Sequence, residues 1–541
     1  MDKKRSFLNV VVSIIFKIIV LVVSIVARRY LIKCVGNEVN GLNSLYNSIV
    51  GFLGVAELGV GVAITYCMYK PIVVKNDNKV AALYQLFTKL YLIIGAIILI
   101  AGCLVMSILP YLAKDYQDAN VNIYLTFLLF LISVVISYLF SSKVSLINAY
   151  KDNYITTAVN SLGLIMQYVL QIVVLILTKS FVWYLCCHIF ATVVQGIAIE
   201  IISRKKHRNI IKIKKQKIDA DTKKEVVRYV KAMFMHKIGA VLVSSIDSLI
   251  ISAFLGVVIL GKYSNYMTIM SAMTGVIALF FGPLTSIIGH SFLEIGAEQS
   301  REYHKAFHTF NFILAIVFFL GYYAVIDNLI TILLGENLEM VKQVSFIITL
   351  NNFIIFMRQA TWLFSDATGV NYYSRWSPIV ESIFNLGLSI LFVIVFPKEY
   401  NVVGVIVATI MTNLFICHIV EPHVLYKYAF RKNAKSYYLC NYMYMLIFLI
   451  ALIALHFSMI TTDNQWIELF VNGGISLAFS FVISTIIVLF NKDFRSNLKV
   501  IFNRFKNRKN IAQISNDNDQ QIAVEENQGQ TENDNHTEIN N

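Results

Sequence analysis

Apolar runs about as long as a membrane-spanning helix recur along the whole chain. A hydrocarbon core of about 30 Å needs roughly 20 mostly apolar residues in a helix. Runs of that length predict fourteen helices, near residues 7–28, 45–68, 90–112, 121–142, 155–177, 181–202, 233–255, 263–288, 309–334, 343–364, 378–397, 402–425, 437–459 and 468–490. The pattern therefore predicts an all-α polytopic membrane protein with about 14 transmembrane helices.

Composition agrees with the pattern and changes nothing in it. Of 541 residues, 57% are apolar and 14% are charged, and the mean hydropathy is +0.66. These values lie outside the range of soluble globular proteins. The first apolar run follows the basic residues "MDKKR" but lacks a small-residue cleavage site, so we interpret it as a retained helix rather than a signal peptide. The seven cysteines show no CxxC spacing, which argues against a zinc site or a disulfide framework.

The net charge of +14 is placed unevenly along the chain. With the N-terminus inside, the inner loops and tails hold 34 of the 46 lysines and arginines, and the outer loops hold 8. This positive-inside bias predicts that both termini are cytoplasmic. The bias accounts for the net positive charge of the chain, so we do not expect nucleic acid as a partner. Arg28, Arg29 and Lys33 go against the trend and predict a basic cluster at the outer end of the first helix.

Two segments of the chain repeat at an offset of 220 residues. The sequence "VGNEVNGLNSLYN" from Val35 matches "LGVVILGKYSNYM" from Leu255 at two glycines, a serine and a tyrosine, and "LGL" recurs at an offset of 224. Both echoes join helix n to helix n+6, which predicts two parallel six-helix lobes with a site between them, an arrangement typical of transporters. The last two helices are then an addition.

This organisation predicts four regions. Residues 1–225 form the N-terminal lobe with helices 1–6, and a basic loop at 203–231 follows its last helix. Residues 226–430 form the C-terminal lobe, and 431–491 hold helices 13 and 14. Residues 492–541 form a cytoplasmic tail that is first basic and then too polar to fold. The basic loop alternates apolar and basic residues, which favours a surface against anionic membrane lipids.

Five charged residues lie near the midplane of predicted helices: Lys17, Glu57, Asp247, Arg358 and Glu381. Charges at this depth cost at least about 2.5 to 3.5 kcal/mol and normally face a bundle interior or a water-filled cavity. We expect all five to face one central cavity. There the two cations would contact an anionic substrate group, because Arg matches phosphate oxygens bidentately. The alternative is that these charges are structural ion pairs. For Glu57 this structural alternative is favoured, because the glycines around it indicate close helix packing.

Other candidate chemistry is weak. His304 and His308 have the i, i+4 spacing of a metal pair but lie at a cytoplasmic lip without a third ligand, so no metal site is expected. The chain has no phosphate-binding glycine loop and no Ser-His-Asp spacing, and its outer loops are too short for a catalytic domain. The sequence therefore favours a transporter without a cofactor over an enzyme.

Three blocks resemble a known family. The sequences "GLNSLYNSIVGFLGVAELGVGVAITYCMYKPI" from Gly41, "HKIGAVLVSSIDSLIISAFLGVVILGKYSNY" from His236 and "TGVNYYSRWSPIVESIFNLGLSI" from Thr368 are similar to polysaccharide flippases. These flippases belong to the multidrug/oligosaccharidyl-lipid/polysaccharide exporter superfamily. The resemblance runs to about Phe490. It implies a fold of two six-helix lobes with two further helices. It also implies that the protein moves an undecaprenyl-pyrophosphate-linked oligosaccharide to the outer leaflet of the bacterial cytoplasmic membrane, for the assembly of a surface polysaccharide such as O-antigen or capsule.

The resemblance also frames the alternatives. The same fold occurs in cation-coupled drug exporters, so a small-molecule exporter is the nearest one. A membrane glycosyltransferase or polymerase of the same pathway would need a sizeable outer loop, and such enzymes are expected only as partners. Coupling to a proton or sodium ion through Glu57 or Asp247 is a further hypothesis.

Overall fold

The computed structural model describes residues 3–496 apart from 58–59, 215, 217, 219–221, 225, 229, 231–244, 282–283 and 492–493. Within this part of the chain all regular secondary structure is helical. We number sixteen helices: α1 Lys3–Val35, α2 Asn37–Leu53, α3 Val60–Val73, α4 Asp77–Met106, α5 Ile123–Ala149, α6 Asn153–Thr178, α7 Phe181–Lys206, α8 Ser245–Leu255, α9 Val257–Phe281, α10 Leu284–Leu334, α11 Lys342–Met357, α12 Gln359–Thr368, α13 Ser377–Val395, α14 Lys398–Phe430, α15 Lys435–Ser458 and α16 Gln465–Phe490. The prediction of an all-α polytopic fold is confirmed.

Nine of the described helices are long and apolar enough to cross a membrane: α4, α5, α6, α7, the Glu294–Leu334 part of α10, α13, α14, α15 and α16. Two predicted segments are interrupted. The segment at 45–68 contains a 3-10 turn at Gly54–Glu57 between α2 and α3, and the segment at 343–364 is divided at Arg358 between α11 and α12. The segment at 233–255 is described only from Ser245.

Asparagine caps set the start of several helices. The side chain of Asn122 accepts hydrogen bonds from the backbone N–H groups of Tyr124 and Leu125, where α5 begins. Asn464 does the same for Trp466 and Ile467 at the start of α16. The first N–H groups of a helix have no partner within it, and a capping side chain satisfies them. These two asparagines therefore fix the residue at which each of these long apolar helices begins.

The helices pack as two groups. In the first group α1 packs on α6, α4 on α5, and α7 on both α5 and α6. In the second, α10 packs on α11, α12 and α16, and α14 packs on α11 and α13. The additional helices α15 and α16 thus lie against the second lobe, chiefly along α10. Contacts between the lobes run along α2 with α9 and along α1 with α10. The four predicted regional boundaries remain predictions.

The two lobes share one backbone feature at corresponding positions. Gly36 separates α1 from α2 with φ 105° and ψ 161°, and Gly256 separates α8 from α9 with φ 97° and ψ 164°. Residues that carry a side chain rarely adopt such positive φ angles, whereas glycine does so without steric cost. The matched glycines of the sequence repeat therefore form the same sharp junction in each lobe.

Candidate functional site

The lobes touch most closely where α2 crosses α9. A methyl group added at Gly41 would collide with the backbone of Val257, and one added at Gly261 would lie 2.5 Å from the carbonyl oxygen of Asn37. The Nδ2 atom of Asn37 also donates to the carbonyl oxygen of Val258 over 2.8 Å. Small residues let two helix backbones approach in a membrane. Gly41 and Gly261 therefore make this crossing possible.

Polar side chains reinforce the same crossing. Arg28 on α1 donates through Nη1 to the carbonyl oxygen of Ser264 over 2.8 Å and to Oδ1 of Asn265 over 3.0 Å. Asn40 on α2 donates to the carbonyl oxygen of Gly261 and to Oδ1 of Asn265, both over 3.1 Å. Three helices are joined here, and the joint is on the side where α1 ends. We name these contacts of Arg28, Asn37, Asn40 and Gly41 with α9 the interlobe contact.

Two further basic residues of the first lobe donate to backbone carbonyls of the second. Arg29 donates through Nη1 to the carbonyl oxygen of Ile332 over 2.9 Å, near the end of α10. Lys114, just beyond α4, donates through Nζ to the carbonyl oxygen of Phe254 over 2.8 Å. Carbonyls at a helix end lack partners within the helix, and cations there are favourable. Two members of the predicted outer basic cluster, Arg28 and Arg29, thus bind the opposite lobe, whereas Lys33 is exposed.

Lys17 lies deeper on the same face of α1 as Arg28. The two residues are eleven positions apart, which is about three helical turns and about 16 Å. This spacing places Lys17 on the same face of α1, farther from the end at which Arg28 contacts α9. Its side chain is exposed and forms no ion pair with the described residues. Lys17 is therefore an exposed cation on the face of α1 that carries Arg28.

Arg358 lies in a buried ion cluster of the second lobe. It donates to both carboxylate oxygens of Glu421, through Nε over 3.0 Å and Nη2 over 2.5 Å. Its Nη1 atom donates to Oδ1 of Asn413 over 2.5 Å and lies 3.5 Å from the carboxylate of Glu381. The guanidinium also lies 4.6 Å above the ring of Trp362. A bidentate pair with further hydrogen bonds is the geometry that compensates a buried charge.

Glu57 lies within the first lobe rather than against a cation. It ends the 3-10 turn between α2 and α3, and the hydroxyl of Tyr91 on α4 donates to its Oε1 atom over 2.8 Å. A methyl group at Gly61 would lie 2.8 Å from the same hydroxyl. The glycine thus lets Tyr91 reach Glu57. Glu57 therefore has a hydrogen-bonded partner on a neighbouring helix, and the packing role inferred from the surrounding glycines stays a prediction.

Asp247 lies within the second lobe and is buried. The hydroxyl of Thr409 on α14 is 3.0 Å and 3.1 Å from its two carboxylate oxygens, and Nδ2 of Asn385 on α13 donates to the same hydroxyl over 2.8 Å. The Oδ1 atom of Asn385 is buried without a hydrogen-bond partner among the described residues. Three helices of the second lobe therefore meet at this carboxylate.

The five predicted charges thus have different surroundings. Arg358 and Glu381 contact each other, whereas Glu57 and Asp247 bond to neutral partners in separate lobes and Lys17 is exposed. The main partner of Arg358, Glu421, was missed in the sequence analysis. The sequence could have revealed Glu421, because it is a carboxylate inside the predicted helix at 402–425. The predicted substrate contacts of the five residues remain predictions.

His304 and His308 bond to neutral partners. His304 Nδ1 lies 3.3 Å from the hydroxyl of Tyr426, and His308 Nε2 lies 3.0 Å from Oδ1 of Asn441. In the described part of the chain no three His, Cys, Asp or Glu side chains are grouped so as to hold a metal ion. The two histidines join α10 to α14 and α15.

Comparison with solved structures places this fold among transporters. An inward-closed structure of the lipid II flippase MurJ matches with a TM-score of 0.62 and 13% identity, covering 89% of this chain and 99% of that one. An inward-facing multidrug resistance MATE transporter of the MOP superfamily matches with a TM-score of 0.58 and 16% identity, covering 73% and 93%. A Vibrio cholerae MATE transporter matches with a TM-score of 0.52 and 15% identity, covering 76% and 94%. At these identities the likeness shows the fold.

Comparison at the sequence level identifies the family. No curated protein matches the chain significantly. The family model described as "Polysaccharide biosynthesis protein" matches residues 6–286, which is more than half of the chain. The match runs from the first turn of α1 to the end of α9 and so includes both sides of the interlobe contact. The chain therefore belongs to the polysaccharide biosynthesis protein family and is a multi-pass membrane protein with a fold similar to those of the lipid II flippase and the MATE transporters.

Proposed function

We propose that the protein flips an undecaprenyl-pyrophosphate-linked oligosaccharide across the bacterial cytoplasmic membrane, for assembly of a surface polysaccharide. The observation that carries the proposal is the position of Lys17. It is an exposed cation about 16 Å along α1 from the tight contact between the two lobes, on the face of the helix that carries Arg28. Membership of the polysaccharide biosynthesis family supports a saccharide substrate.

The geometry supports transport by alternating access. The interlobe contact closes the gap between the lobes on the side where α1 ends, which is the outer side if the N-terminus is cytoplasmic. A substrate would then enter from the cytoplasmic side, with its pyrophosphate at Lys17 and its polyprenyl tail in lipid. Separation of α2 from α9 would open the outer side as the lobes rock. An inside-negative potential favours outward movement of an anion by about 2.3 kcal/mol per charge per 100 mV.

Arg358 has a different part in this proposal. Its guanidinium is already neutralised by Glu421 and lies near Glu381, and Asn413 takes a further N–H group. In this state it holds α14 against the junction of α11 and α12. We therefore assign first contact with the pyrophosphate to Lys17 and propose that Arg358 reaches the substrate only in a state where its pair with Glu421 is broken.

Deletion of the gene tests the function. We expect the lipid-linked oligosaccharide to accumulate in the cytoplasmic leaflet and the surface polymer to disappear. Unchanged surface polysaccharide together with increased drug sensitivity would contradict the proposal and favour a small-molecule exporter.

Complementation tests the site. Lys17→Ala should express and fold normally, because the side chain is exposed and unpaired among the described residues, yet fail to restore the polymer. Lys17→Arg keeps the charge and should restore it. Lys212→Ala, an exposed lysine beyond α7, is the matched control and should complement fully. Full activity of Lys17→Ala would remove Lys17 from the site.

A further inference from the structure

Exposed aromatic rings and cations lie together at one end of the second lobe. Tyr372, Tyr373 and Trp376 are 63%, 54% and 59% exposed in the connection between α12 and α13, and Tyr428 is 42% exposed near the end of α14. With Arg375 and Lys427 they form a surface that we name the aromatic platform. In the predicted orientation this end of the lobe is cytoplasmic.

Local backbone geometry builds the platform. Gly369 has φ 72° and ends α12, after which Val370–Tyr372 form a 3-10 turn and Pro378 opens α13. Such a left-handed residue is a common helix stop, and glycine adopts it without cost. The turn points Val370 inward, where it is 6% exposed, and leaves the next two tyrosines outside.

The end of α14 supplies the other part of the aromatic platform. The end of α14 is a π-helical turn, Leu425–Phe430, in which Tyr426 and Phe430 are buried. Lys427 and Tyr428 lie between them and are exposed. The buried rings belong to a small hydrophobic core that also includes Phe364. The platform therefore rests on packed side chains that hold it in place.

Ring contacts connect the two halves. The rings of Tyr373 and Tyr428 are stacked, with centroids 3.9 Å apart and planes 2° from parallel. The guanidinium of Arg375 lies 4.0 Å from the ring centroid of Tyr372, and Nζ of Lys427 lies 5.4 Å from that of Tyr428. Tyr372 and Tyr373 are themselves in edge contact at 5.6 Å. A continuous row of rings thus carries a cation at each end.

The charge of the platform is uncompensated. Arg375 and Lys427 form no ion pair with the described residues. Three more cations, Arg431, Lys432 and Lys435, follow directly after α14. An anion would therefore meet several positive groups and no competing carboxylate bound to them.

An apolar stripe adjoins the platform. Along α13 the side chains of Val380, Ile383 and Phe384 are exposed, on the helix that begins beside Trp376. Exposed apolar side chains on a spanning helix face lipid, and Trp and Tyr concentrate at the level of the headgroups. The row of rings therefore lies where hydrocarbon ends and phosphate begins.

We propose that the aromatic platform binds the headgroup of an anionic phospholipid of the inner leaflet, with the headgroup along the row of rings that joins Arg375 to Lys427 and its acyl chains along α13. The rings orient the two cations, and the core beneath fixes the rings. This assigns a lipid site outside the interlobe face, and it does not depend on what the protein transports.

Lipid titration of the purified full-length protein tests the proposal. The protein in a neutral maltoside detergent is titrated with phosphatidylglycerol, cardiolipin or phosphatidylcholine, and bound lipid is counted by native mass spectrometry. The double variant Arg375→Gln/Lys427→Gln should bind phosphatidylglycerol about 25-fold more weakly, since each cation near anionic lipid contributes about a factor of five. Phosphatidylcholine binding should not change.

Two further variants make the result specific. Lys179→Gln/Lys398→Gln removes two exposed lysines from connections that lie on the outer side in the predicted orientation and should leave the affinity within twofold. Tyr428→Leu keeps both charges but removes the ring stack, and should weaken binding several-fold. Equal losses in the two double variants would overturn the site. So would a preference for undecaprenyl pyrophosphate over phosphatidylglycerol at this surface, which would make it a substrate site instead.

Discussion

Gly41 and Gly261 face each other across the interlobe contact, one from each lobe, at the same position in the two halves of the sequence repeat. A methyl group at Gly41 would lie 3.1 Å from the backbone nitrogen of Gly261 and would collide with the carbonyl group of Val257. The neighbours are backbone atoms, which cannot rotate away as a side chain can. The fit of the two lobes in this state therefore depends on the absence of two methyl groups.

Gly41→Ala should prevent the closed interlobe contact. A single Ser264→Cys reporter in a cysteine-free background, placed where Arg28 contacts α9, is shielded when the contact is closed. We expect the alanine variant to raise its labelling by an impermeant maleimide severalfold and to reduce flipping. Gly321→Ala, on α10 with nothing within 4 Å of the added carbon, is the matched control. Identical labelling of both variants would show that this crossing does not close the outer side.

Arg28→Gln should shift the same equilibrium by loss of charge. The hydrogen bonds from Arg28 to Ser264 and Asn265 are charge-assisted, and such bonds contribute about 1.5 to 3 kcal/mol. We expect the open fraction, measured by reporter labelling, to rise by about one order of magnitude or more. Lys33→Gln, an exposed cation from the same end of α1, should have little effect. An unchanged open fraction in Arg28→Gln would mean that the glycine crossing suffices.

Arg358→Met should destabilise the second lobe. Removing one partner of a buried pair leaves the other charge unpaired and costs about 3 to 5 kcal/mol. We expect a lower melting temperature in detergent and poor expression. The double variant Arg358→Met/Glu421→Leu should recover part of this loss, because Glu421 is the bidentate partner. A single variant that melts like the wild type yet does not flip substrate would instead support direct contact with phosphate.

Tyr91→Phe should weaken the packing of α4 against the turn at Glu57. The variant removes the hydroxyl that donates to Oε1 of Glu57 over 2.8 Å, at a cost of about 1.5 to 3 kcal/mol in thermal or denaturant stability. Glu57→Gln keeps an acceptor for that hydroxyl and should fold. If Glu57 couples transport to protons, flipping by Glu57→Gln in proteoliposomes will no longer respond to a pH gradient. An unaltered response would exclude that coupling route.

The helical fold was predictable because membrane burial acts on each segment separately. Each apolar run had to satisfy its own backbone hydrogen bonds in lipid, so length and hydropathy were enough to predict a helix. The exceptions follow the same logic. The runs at 45–68 and 343–364 carry Glu57 and Arg358, and at each charge the α-helix is interrupted, by a 3-10 turn that ends at Glu57 and by the break between α11 and α12 at Arg358. The charged residues mark the positions of these interruptions in the sequence, but the sequence does not show their geometry.

The sequence by itself determined the membrane class, the approximate spans, the repeated glycines and the charges that had to be compensated. Only the tertiary structure decided which partner each charge received. Arg358 pairs with Glu421, 63 residues away, and Arg28 reaches Ser264 across 236 residues. The physical reason is that hydropathy is a property of one helix, whereas an ion pair depends on which helices adjoin, how each is rotated and at what depth they cross. Those variables are set by the packing of the two lobes.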